Sequence, residues 1–459
     1  MTINISRSAV IHVTEPGVRA PRGVRRCDIG SHVAFETESL ESYFFSTWEP
    51  VAYDALLVAA AVEYADRTVR RAAYVWERQI ELRVPVHDVS RWSAGAVTAT
   101  LHNALGFLTG DRWHISFYAR RHVAERPRQV TLNLPSGVAA VIPYSNGLDS
   151  CAVAGLVTRE LGSGVVRVRL GSVSSDAEDH DRERRPFTAV PYKVRAGRTP
   201  FVESSARSRG FKFALISGLA AYLANASRII VPESGQGALG PSLVPVGQAY
   251  EDYRSHPLFT ARMEAFLAAL LDHKARFEFP RLWQTKSETL RQFVNECGDG
   301  KWTSTWSCWR QNRHVSVDGK RRQCGVCAAC MLRRMSVHGA GLSEPAERYV
   351  WTDLSARTFE SGAAPPYRER GKITRASREY AIAGALHLDH MASLSDAAVE
   401  SGALDLAASQ LGSTLGLTRD NARQQLGRLL QQHRKEWEGF MGSLGPNSFV
   451  ADWAMRGRS

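Results

Sequence analysis

Alternation of hydrophobic and polar residues predicts β-strands in the first third of the chain. Three runs carry a hydrophobic residue at every second position, so each set would lie on one face of a strand. The sets are Ile80, Leu82 and Val84; Trp113, Ile115 and Phe117; and Val130, Leu132 and Leu134. Helical spacing predicts a helix over residues 50–71, whereas the Arg-, Gly-, Pro- and Ser-rich residues 1–35 predict an irregular arm. Residues 1–135 are therefore expected to form an accessory α+β domain.

The pattern changes near residue 136 to short hydrophobic runs without alternation, each followed by residues with helical periodicity. In chain order, the strands are predicted at 138–142, 165–170 and 229–231, and the helices at 150–161 and 211–224. Strands and helices in this order predict a parallel sheet with helices on its faces, and hence an α/β core over residues 136–343. The polar stretch 172–200 predicts a mobile loop within that core.

The C-terminal part, residues 344–459, is predicted to be a helical region. A Pro-, Gly- and Arg-rich connection over residues 344–375 leads into helical periodicity over residues 376–440. Regularly spaced leucines between residues 411 and 430, beside Arg419, Arg423 and Arg428, resemble a helix–turn–helix that would place a helix in a DNA groove. The alternative that we favour is a helical hairpin packed on the core.

The composition indicates a globular, basic protein. The chain has 459 residues, 44% of them hydrophobic, and a formal net charge of +12. Hydrophobic runs are too short to span a membrane and the first residues do not resemble a signal peptide, so we expect a cytoplasmic protein without a membrane partner. The basic residues lie in short clusters mixed with Pro, Gly and acids. A nucleic-acid partner is therefore allowed by the charge but is not favoured.

The first candidate site is the hexapeptide SNGLDS, residues 145–150, which joins a predicted strand to a predicted helix. Small residues before a helix let backbone N–H groups point at a phosphate, and the helix dipole favours negative charge there. The hydroxyls of Ser145 and Ser150 add two donors. The loop thus indicates a phosphate or pyrophosphate site, and an ordinary turn with Asp149 or Ser150 as the helix cap is the alternative.

The second candidate site is a cluster of four of the seven cysteines, with the spacing C-x15-C-x2-C-x2-C. Its members are Cys308, Cys324, Cys327 and Cys330. Four thiolates suit a tetrahedral structural zinc ion, and an iron–sulfur cluster is the chemical alternative. Neighbouring arginines would offset the negative charge of the site, namely Arg310, Arg321, Arg322, Arg333 and Arg334.

Together the two sites resemble those of the 7-cyano-7-deazaguanine synthase family. The loop resembles the SGGxDS loop of the PP-loop ATP pyrophosphatases, with Asn146 in place of the Gly that is usual at the second position. TWSC and CGVCAACMLRR, at the cysteines, resemble the zinc segment of the family, and the resemblance extends over roughly residues 136–340. It implies a PP-loop fold (adenine nucleotide alpha hydrolase-like, Rossmann-like), adenylation of 7-carboxy-7-deazaguanine by ATP, and transfer of the activated carboxylate to ammonia.

The resemblance also implies roles for individual residues. It implies that ATP, with Mg²⁺, is bound by Ser145, Asn146, Gly147, Leu148, Asp149 and Ser150. The expected catalytic residues are Asp149, Ser150 and Arg209, and the expected substrate contacts are Glu233, Gly235 and His256. A solvated charge at Arg209, a loop acid at Glu233 and a residue before a proline turn at His256 are the alternatives.

One segment departs from the family, and two regions are additional to it. Where the family has an Asp-x-Arg-Pro-like stretch, this chain reads Arg254-Ser255-His256-Pro257, so the acid is expected to be missing. The additional regions resemble the enlarged deazaguanine-synthase-like proteins of bacterial anti-phage defence systems, which implies a partner protein whose amine replaces ammonia. A tRNA thiolase is disfavoured because zinc would occupy the clustered cysteines. A non-catalytic scaffold that binds a partner protein or DNA in a defence complex is the alternative from another class.

Overall fold

The computed structural model describes most of the chain. The described residues are 9–35, 49–71, 77–122, 137–170, 187, 190–197, 200–203, 206–247, 250–298, 300–310, 315–397 and 402–456. The chain forms two compact units. The first unit comprises Met1–Ser145, Leu161–Val231 and Pro257–Glu278, and the second comprises Asn146–Glu160, Pro232–His256 and Phe279–Ser459. The division into three domains stays a prediction.

The strands are short and concentrated in the first unit. In chain order they are β1 (Ala9–Thr14), β2 (Arg25–Asp28), β3 (Val33–Phe35), β4 (Gln79–Val86), β5 (Arg112–Ala119), β6 (Ala140–Tyr144), β7 (Val165–Arg169), β8 (Tyr192–Val194), β9 (Arg228–Ile230), β10 (Arg276–Glu278), β11 (Ser316–Val317) and β12 (Lys320–Arg321).

The helices lie in both units, and the longest are in the second. In chain order they are α1 (Pro50–Thr68), α2 (Val89–Trp92), α3 (Gly95–Thr109), α4 (Leu148–Leu161), α5 (Arg209–Leu223), α6 (Gly235–Ala238), α7 (Gly240–Leu243), α8 (Pro257–Leu271), α9 (Lys286–Cys297), α10 (Ala328–Gly339), α11 (Pro365–Glu369), α12 (Arg375–Ala397), α13 (Gly402–Leu415), α14 (Arg419–Leu444) and α15 (Phe449–Arg456).

A parallel sheet with the strand order β2-β1-β4-β5 forms the N-terminal part of the first unit. The alternation that predicted β4 and β5 is confirmed, because Ile80, Leu82, Trp113 and Ile115 are all buried. Helix α1, which starts with Pro50, is buried on almost every side. A helix with so little exposed surface serves as the centre of a core.

The prediction of an irregular arm over residues 1–35 is wrong for the described residues 9–35. Strand β1 lies inside the sheet, between β2 and β4, and its residues Ile11 and Val13 are fully buried. The run that forms β1 is short and is followed by Pro, Gly and Arg residues. Its neighbours in the sheet, which come later in the chain, supply the hydrogen bonds and the burial that stabilise it.

A second parallel sheet, with the order β10-β9-β6-β7, also belongs to the first unit and confirms the predicted α/β core. Strand β8 lies within the predicted loop 172–200 and pairs antiparallel with β3, so the loop prediction is wrong over the residues of β8. The rest of that stretch lies largely outside the described residues, as does the predicted strand at Val130, Leu132 and Leu134.

The second unit is mainly helical, as predicted for the C-terminal region. Helices α12, α13 and α14 occupy nearly all of residues 376–440. The turn between α13 and α14 contains Gly416, with φ of +70°, and the two helices pack as a hairpin. Arg419 and Arg423 pair with Asp405 on α13, and Arg428 pairs with Glu288. These ion pairs favour the packed hairpin over a DNA-reading helix.

Among the described residues, we find no helix that is both long and apolar enough to cross a membrane.

Candidate active site

The loop 145–150 connects β6 to α4. Helix α4 begins at Leu148, and the N–H of Cys151 donates to the carbonyl of Gly147 at 3.0 Å, which closes its first turn. The positive end of the helix dipole therefore lies at Asp149 and Ser150, as an anion-binding loop requires. The described glycines with a positive φ do not include Gly147, so this turn forms without the left-handed conformation that a glycine permits.

The loop is joined to the cysteine-rich segment by a backbone hydrogen bond within the second unit. The N–H of Trp306 donates to the carbonyl of Asn146 at 2.6 Å. The indole Nε1 of Trp306 donates to the carbonyl of Cys308 at 3.1 Å, and the Arg321 guanidinium lies 4.0 Å from the centroid of the indole ring. Trp306 thus holds the second residue of the loop next to the first cysteine of the cluster.

Helix α4 is anchored by its apolar side. Leu148 and Cys151 are buried in a cluster with Leu290 and Phe293 of helix α9. A Cβ atom added at Gly155 would lie 2.3 Å from the Phe293 ring, so only glycine allows this close approach. Because the side chain of Leu148 belongs to this core, its backbone is the part that can face ATP.

Asp149 is paired with a lysine that our sequence analysis did not single out. The Nζ atom of Lys286 lies 2.5 Å from Oδ2 of Asp149, and both side chains are about nine-tenths buried. Among the described residues, no group donates a hydrogen bond to the other oxygen, Oδ1, which is also buried. A buried carboxylate oxygen without a donor is costly, and a ligand or a cation would satisfy it.

Lys286 is held at the start of helix α9 by several contacts. Thr285 caps the helix, in a reciprocal capping box with Glu288. The backbone N–H of Lys286 donates to Oε1 of Gln236 at 2.8 Å, and Nε2 of Gln236 lies 2.8 Å from Nδ1 of His433 on α14. The Thr-x-x-Glu sequence predicts the helix start, but no local sequence signal places the lysine against Asp149.

Glu233 lies in the same charged region of the second unit. Burial raises the pKa of the Glu233 carboxyl to about 7, and the negative charge of Asp149 acts in the same direction. Lys286 and Arg254 lower that pKa to a smaller extent. A Cβ atom added at Gly237 would lie 2.3 Å from Oε2 of Glu233, so this glycine leaves the space that the carboxylate occupies.

The four cysteines meet as predicted. Their Sγ atoms all lie within 4.8 Å of one another, and all four residues are buried. The Sγ atoms of Cys324 and Cys330 are 3.7 Å apart, close to the edge of about 3.8 Å expected for a tetrahedron with zinc–sulfur bonds of about 2.3 Å.

Backbone amides complete the cysteine cluster. The N–H groups of Cys324 and Arg310 donate to Sγ of Cys308 at 3.2 and 3.4 Å, and the N–H of Cys327 donates to Sγ of Cys324 at 3.3 Å. Such donors stabilise thiolates. Hydrogen bonds from the other three cysteines lower the pKa of Cys308. The donor set, the burial and the spacing therefore fit a structural zinc ion with four thiolate ligands.

Two of the arginines expected to offset the charge of the cysteines are engaged elsewhere. The buried Arg333 guanidinium pairs with Glu344 and donates to the carbonyls of Thr305 and Trp302. Arg334 donates to the carbonyl of Trp351 at 2.7 Å. These arginines fasten the cysteine segment to the chain around it.

One comparison with known proteins identifies part of the chain. Residues 240–341 match the family model described as queuosine biosynthesis protein QueC. This segment of the chain is similar to QueC. This is the family that the two sequence motifs resemble. Neither the curated proteins nor the solved structures contain a match to the chain.

The QueC match covers less than a quarter of the chain, but it contains much of the site. It includes the four cysteines, Lys286 and Arg254, whereas the loop 145–150 and Glu233 precede it. The family that this segment resembles consists of ATP-dependent synthases that activate a carboxylate for amination.

The QueC-like segment contains an acid just before the place where we expected it to be missing. Asp252 lies two residues before Arg254 and forms an ion pair with it, with Nε of Arg254 donating to Oδ2 of Asp252 at 2.7 Å. The sequence Asp252-Tyr253-Arg254 is thus of the Asp-x-Arg type, but two residues rather than none separate Arg254 from Pro257. An Asp-x-Arg sequence is therefore present two residues before the stretch that we matched to the family.

The remaining predicted residues lie in different surroundings. Gly235 is needed for packing, because a Cβ atom there would lie 2.2 Å from the carbonyl of Leu282. His256 is buried, and its ring contacts the Tyr253 ring edge-on, with 5.3 Å between the centroids. Arg209 opens helix α5 in the first unit, and its guanidinium lies 5.0 Å from the centroid of the Phe213 ring. Substrate or catalytic roles for these residues stay predictions.

Proposed function

We propose that this QueC-like chain adenylates a 7-carboxy-7-deazaguanine-type carboxylate and transfers it to an amine. In the first step a carboxylate oxygen attacks the α-phosphorus of ATP, and pyrophosphate leaves. In the second step the amine attacks the acyl carbon of the adenylate, and AMP leaves.

The observation that carries the proposal is the convergence of Asp149, Lys286 and the cysteine segment within one compact unit. The Lys286–Asp149 pair brings a cation to the N-terminal end of α4, and the Trp306–Asn146 hydrogen bond ties the loop to the cysteines. A loop that only turned the chain from strand to helix would need neither contact. Backbone N–H groups at a helix start together with a lysine are suited to developing negative charge on a leaving pyrophosphate.

In this proposal each group has a defined task. Residues 145–150 bind the phosphates of ATP, and Lys286 neutralises the pyrophosphate as it departs. Asp149 and Glu233 offer oxygen ligands to Mg²⁺, which would screen the phosphate charges when bound. The zinc ion would hold the segment behind the loop. Arg209 is retained as a catalytic residue, and Gly235 and His256 as substrate contacts, on the resemblance to the family.

For the acceptor we propose ammonia or an amine of a partner protein, the latter in an anti-phage defence operon. Support for a protein acceptor comes from the additional sequence: an entire parallel sheet and the long helices α12 to α14 lie outside residues 240–341. The non-catalytic scaffold is the alternative, and the departure at Asn146 is its support.

The test is mass spectrometry of the purified full chain with Mg·ATP and 7-carboxy-7-deazaguanine. Ammonia is added to one reaction and the proteins of the same operon to another. The proposal predicts AMP in both, with an amide or nitrile product in the first or a mass increase on a partner in the second. Asp149→Asn should abolish AMP formation. Asp389→Asn is the control and should leave AMP formation unchanged. Asp389 is a buried acid of the same unit that accepts a hydrogen bond from Trp437.

A zinc-loaded protein that produces no AMP in any mixture would overturn the proposal and favour the scaffold.

A further inference from the structure

The carboxyl edge of the N-terminal sheet carries a group of polar residues that the proposed reaction does not use. In the order β2-β1-β4-β5, strand β2 lies on one side of the central pair β1 and β4, and β5 lies on the other side. The direction in which the chain adds strands to the sheet therefore reverses between β1 and β4. Open parallel sheets bind ligands outside the carboxyl ends of their strands at such a reversal. Glu15 follows β1, His87 follows β4 and Arg120 follows β5.

His87 is oriented by a fully buried carboxylate. Nδ1 of His87 lies 2.6 Å from Oδ1 of Asp54, and the backbone N–H of His87 donates to Oδ2 of Asp54 at 2.8 Å. Asp54 belongs to α1 and has no exposed surface. With Nδ1 bound to Asp54, the other ring nitrogen, Nε2, points away from it. Nε2 is buried and meets no hydrogen-bond partner in the described part of the chain.

Arg120 also presents a donor without a partner. Its side chain is only 3% exposed, and its Nε lies 3.4 Å from Oε1 of Glu15. Both oxygens of Glu15 already accept backbone N–H groups, from Arg121 and His122, each at 2.9 Å. Nη1 of Arg120 is buried, and none of the residues that the structure describes accepts its hydrogen bond. The positive charge of Arg120 is therefore only partly compensated.

Tyr53 brings these two groups together. The Arg120 guanidinium lies 4.4 Å from the centroid of the Tyr53 ring, and the His87 ring contacts the same ring edge-on at 5.9 Å. The backbone N–H of Arg120 also donates to the carbonyl of Val86, the residue before His87, at 2.9 Å. The buried Arg120 side chain and the partly buried His87 side chain, each with a buried nitrogen atom that is not used, thus lie around one aromatic ring at the place where a parallel sheet binds its ligands.

We propose that this edge of the N-terminal sheet is a binding site for a small anion that bears a phosphate or carboxylate group. Nη1 of Arg120 donates one hydrogen bond to the anion. Protonated His87 donates a second from Nε2, with Asp54 compensating the imidazolium. Burying an unpaired donor is unfavourable, and an anion satisfies both donors at once. The site consists of residues other than those of the candidate active site and goes beyond the proposed adenylation.

The test is a titration of the full chain with inorganic phosphate and, separately, with acetate at constant ionic strength. The readout is the side-chain NMR signal of His87, assigned by its loss in His87→Gln. We expect a saturable shift with at least one of the anions, and the anion that produces it gives the class. His102, whose Nε2 accepts a hydrogen bond from the Ile115 N–H, is the internal control and should not shift.

Variants separate this site from the loop. Arg120→Gln should weaken the apparent affinity about tenfold or more, because a charge-assisted hydrogen bond is lost. Asp149→Asn should leave unchanged the shift of the His87 signal during the titration with the anion. If Arg120→Gln does not fold, Arg120→Lys replaces it and should still weaken binding, because the planar donor is lost. No saturable shift with either anion, an equal shift at His102, or unchanged affinity in the folded Arg120 variant would overturn the proposal.

Discussion

Lys286 is the first residue of helix α9, and its ammonium group lies 2.5 Å from the Asp149 carboxylate. A cation at a helix N-terminus is opposed by the helix dipole, and burial adds a further cost. The Asp149 partner and the hydrogen bond from the Lys286 backbone to Gln236 keep it in place. This arrangement holds a positive charge next to the start of α4, where the proposed reaction releases pyrophosphate.

Replacement of Lys286 should therefore slow the proposed reaction. We expect Lys286→Gln to lower kcat for AMP formation about 10²-fold, the usual effect of removing one group that stabilises transition-state charge. The measurement is steady-state AMP release with saturating ATP. Lys212→Gln is the matched control, since Lys212 also pairs with a carboxylate, Glu63, at 2.9 Å. Equal rates for the two variants would contradict a role of Lys286 in the reaction.

The raised pKa of Glu233 predicts a specific dependence of stability on pH. Burial moves this pKa from its ordinary value of 4.5 to about 7, so the folded state holds a proton that the unfolded state releases in this interval. The free energy of unfolding should then fall as the pH rises from about 4.5 to about 7, relative to a variant without the carboxyl group. Urea unfolding of the wild-type chain and of Glu233→Gln across this interval measures the difference.

The neighbour of Glu233 provides the control for the pH prediction. The Asp149 charge raises the pKa of Glu233, so Asp149→Asn should lower it and narrow the pH interval over which stability changes. If the free energy of unfolding of the wild-type chain and that of Glu233→Gln changed in parallel with pH, the prediction of a raised Glu233 pKa would be wrong.

The sequence predicted those parts of the fold whose signal is local. Alternation gave β4 and β5, and helical periodicity gave α1, α4 and the C-terminal helices. Strand β1 was missed because its burial depends on pairing with β4, in which Ile11 lies opposite Leu82 and Val10 lies opposite Glu81. A short stretch of sequence does not contain its partner strand, which here lies some 70 residues away.

The candidate site shows the same limit. Four cysteines at short spacing are a local pattern, and they meet as expected. Lys286 lies far from Asp149 in sequence, and the Thr285–Glu288 capping box explains only why a helix begins there. The pairing of Asp252 with Arg254 is local, but it was overlooked because the acid was expected two residues further along.

Zinc removal should destabilise the second unit. The four cysteines belong to a buried cluster that includes Val350 and Trp351, so loss of the ion would leave mutually repelling thiolates or unpaired thiols in a core. We expect about one zinc ion per chain by elemental analysis, and a lower Tm after chelation. Cys327→Ser should lose the metal, whereas Cys297→Ser should keep it, because Cys297 lies outside the cluster. Iron in place of zinc would indicate the iron–sulfur alternative.

Arg333 should be among the most sensitive positions for stability in the cysteine segment. Its guanidinium has no exposed surface and binds Glu344, Thr305 and the carbonyl of Trp302. Arg333→Met would leave the buried Glu344 carboxylate without its closest cation, and removal of one partner of such a pair costs about 3 to 5 kcal/mol. Arg375→Met is the control: the Arg375 side chain pairs with Glu379 but is 92% exposed, and its loss should cost no more than about 0.5 kcal/mol.

Urea unfolding of Arg333→Met, Glu344→Gln and the double variant separates the charge of Arg333 from its packing. The double variant should be more stable than the sum of the two single losses predicts, because it leaves no buried charge without a partner. Additive losses would show that Arg333 acts by packing and not through the charge of Glu344.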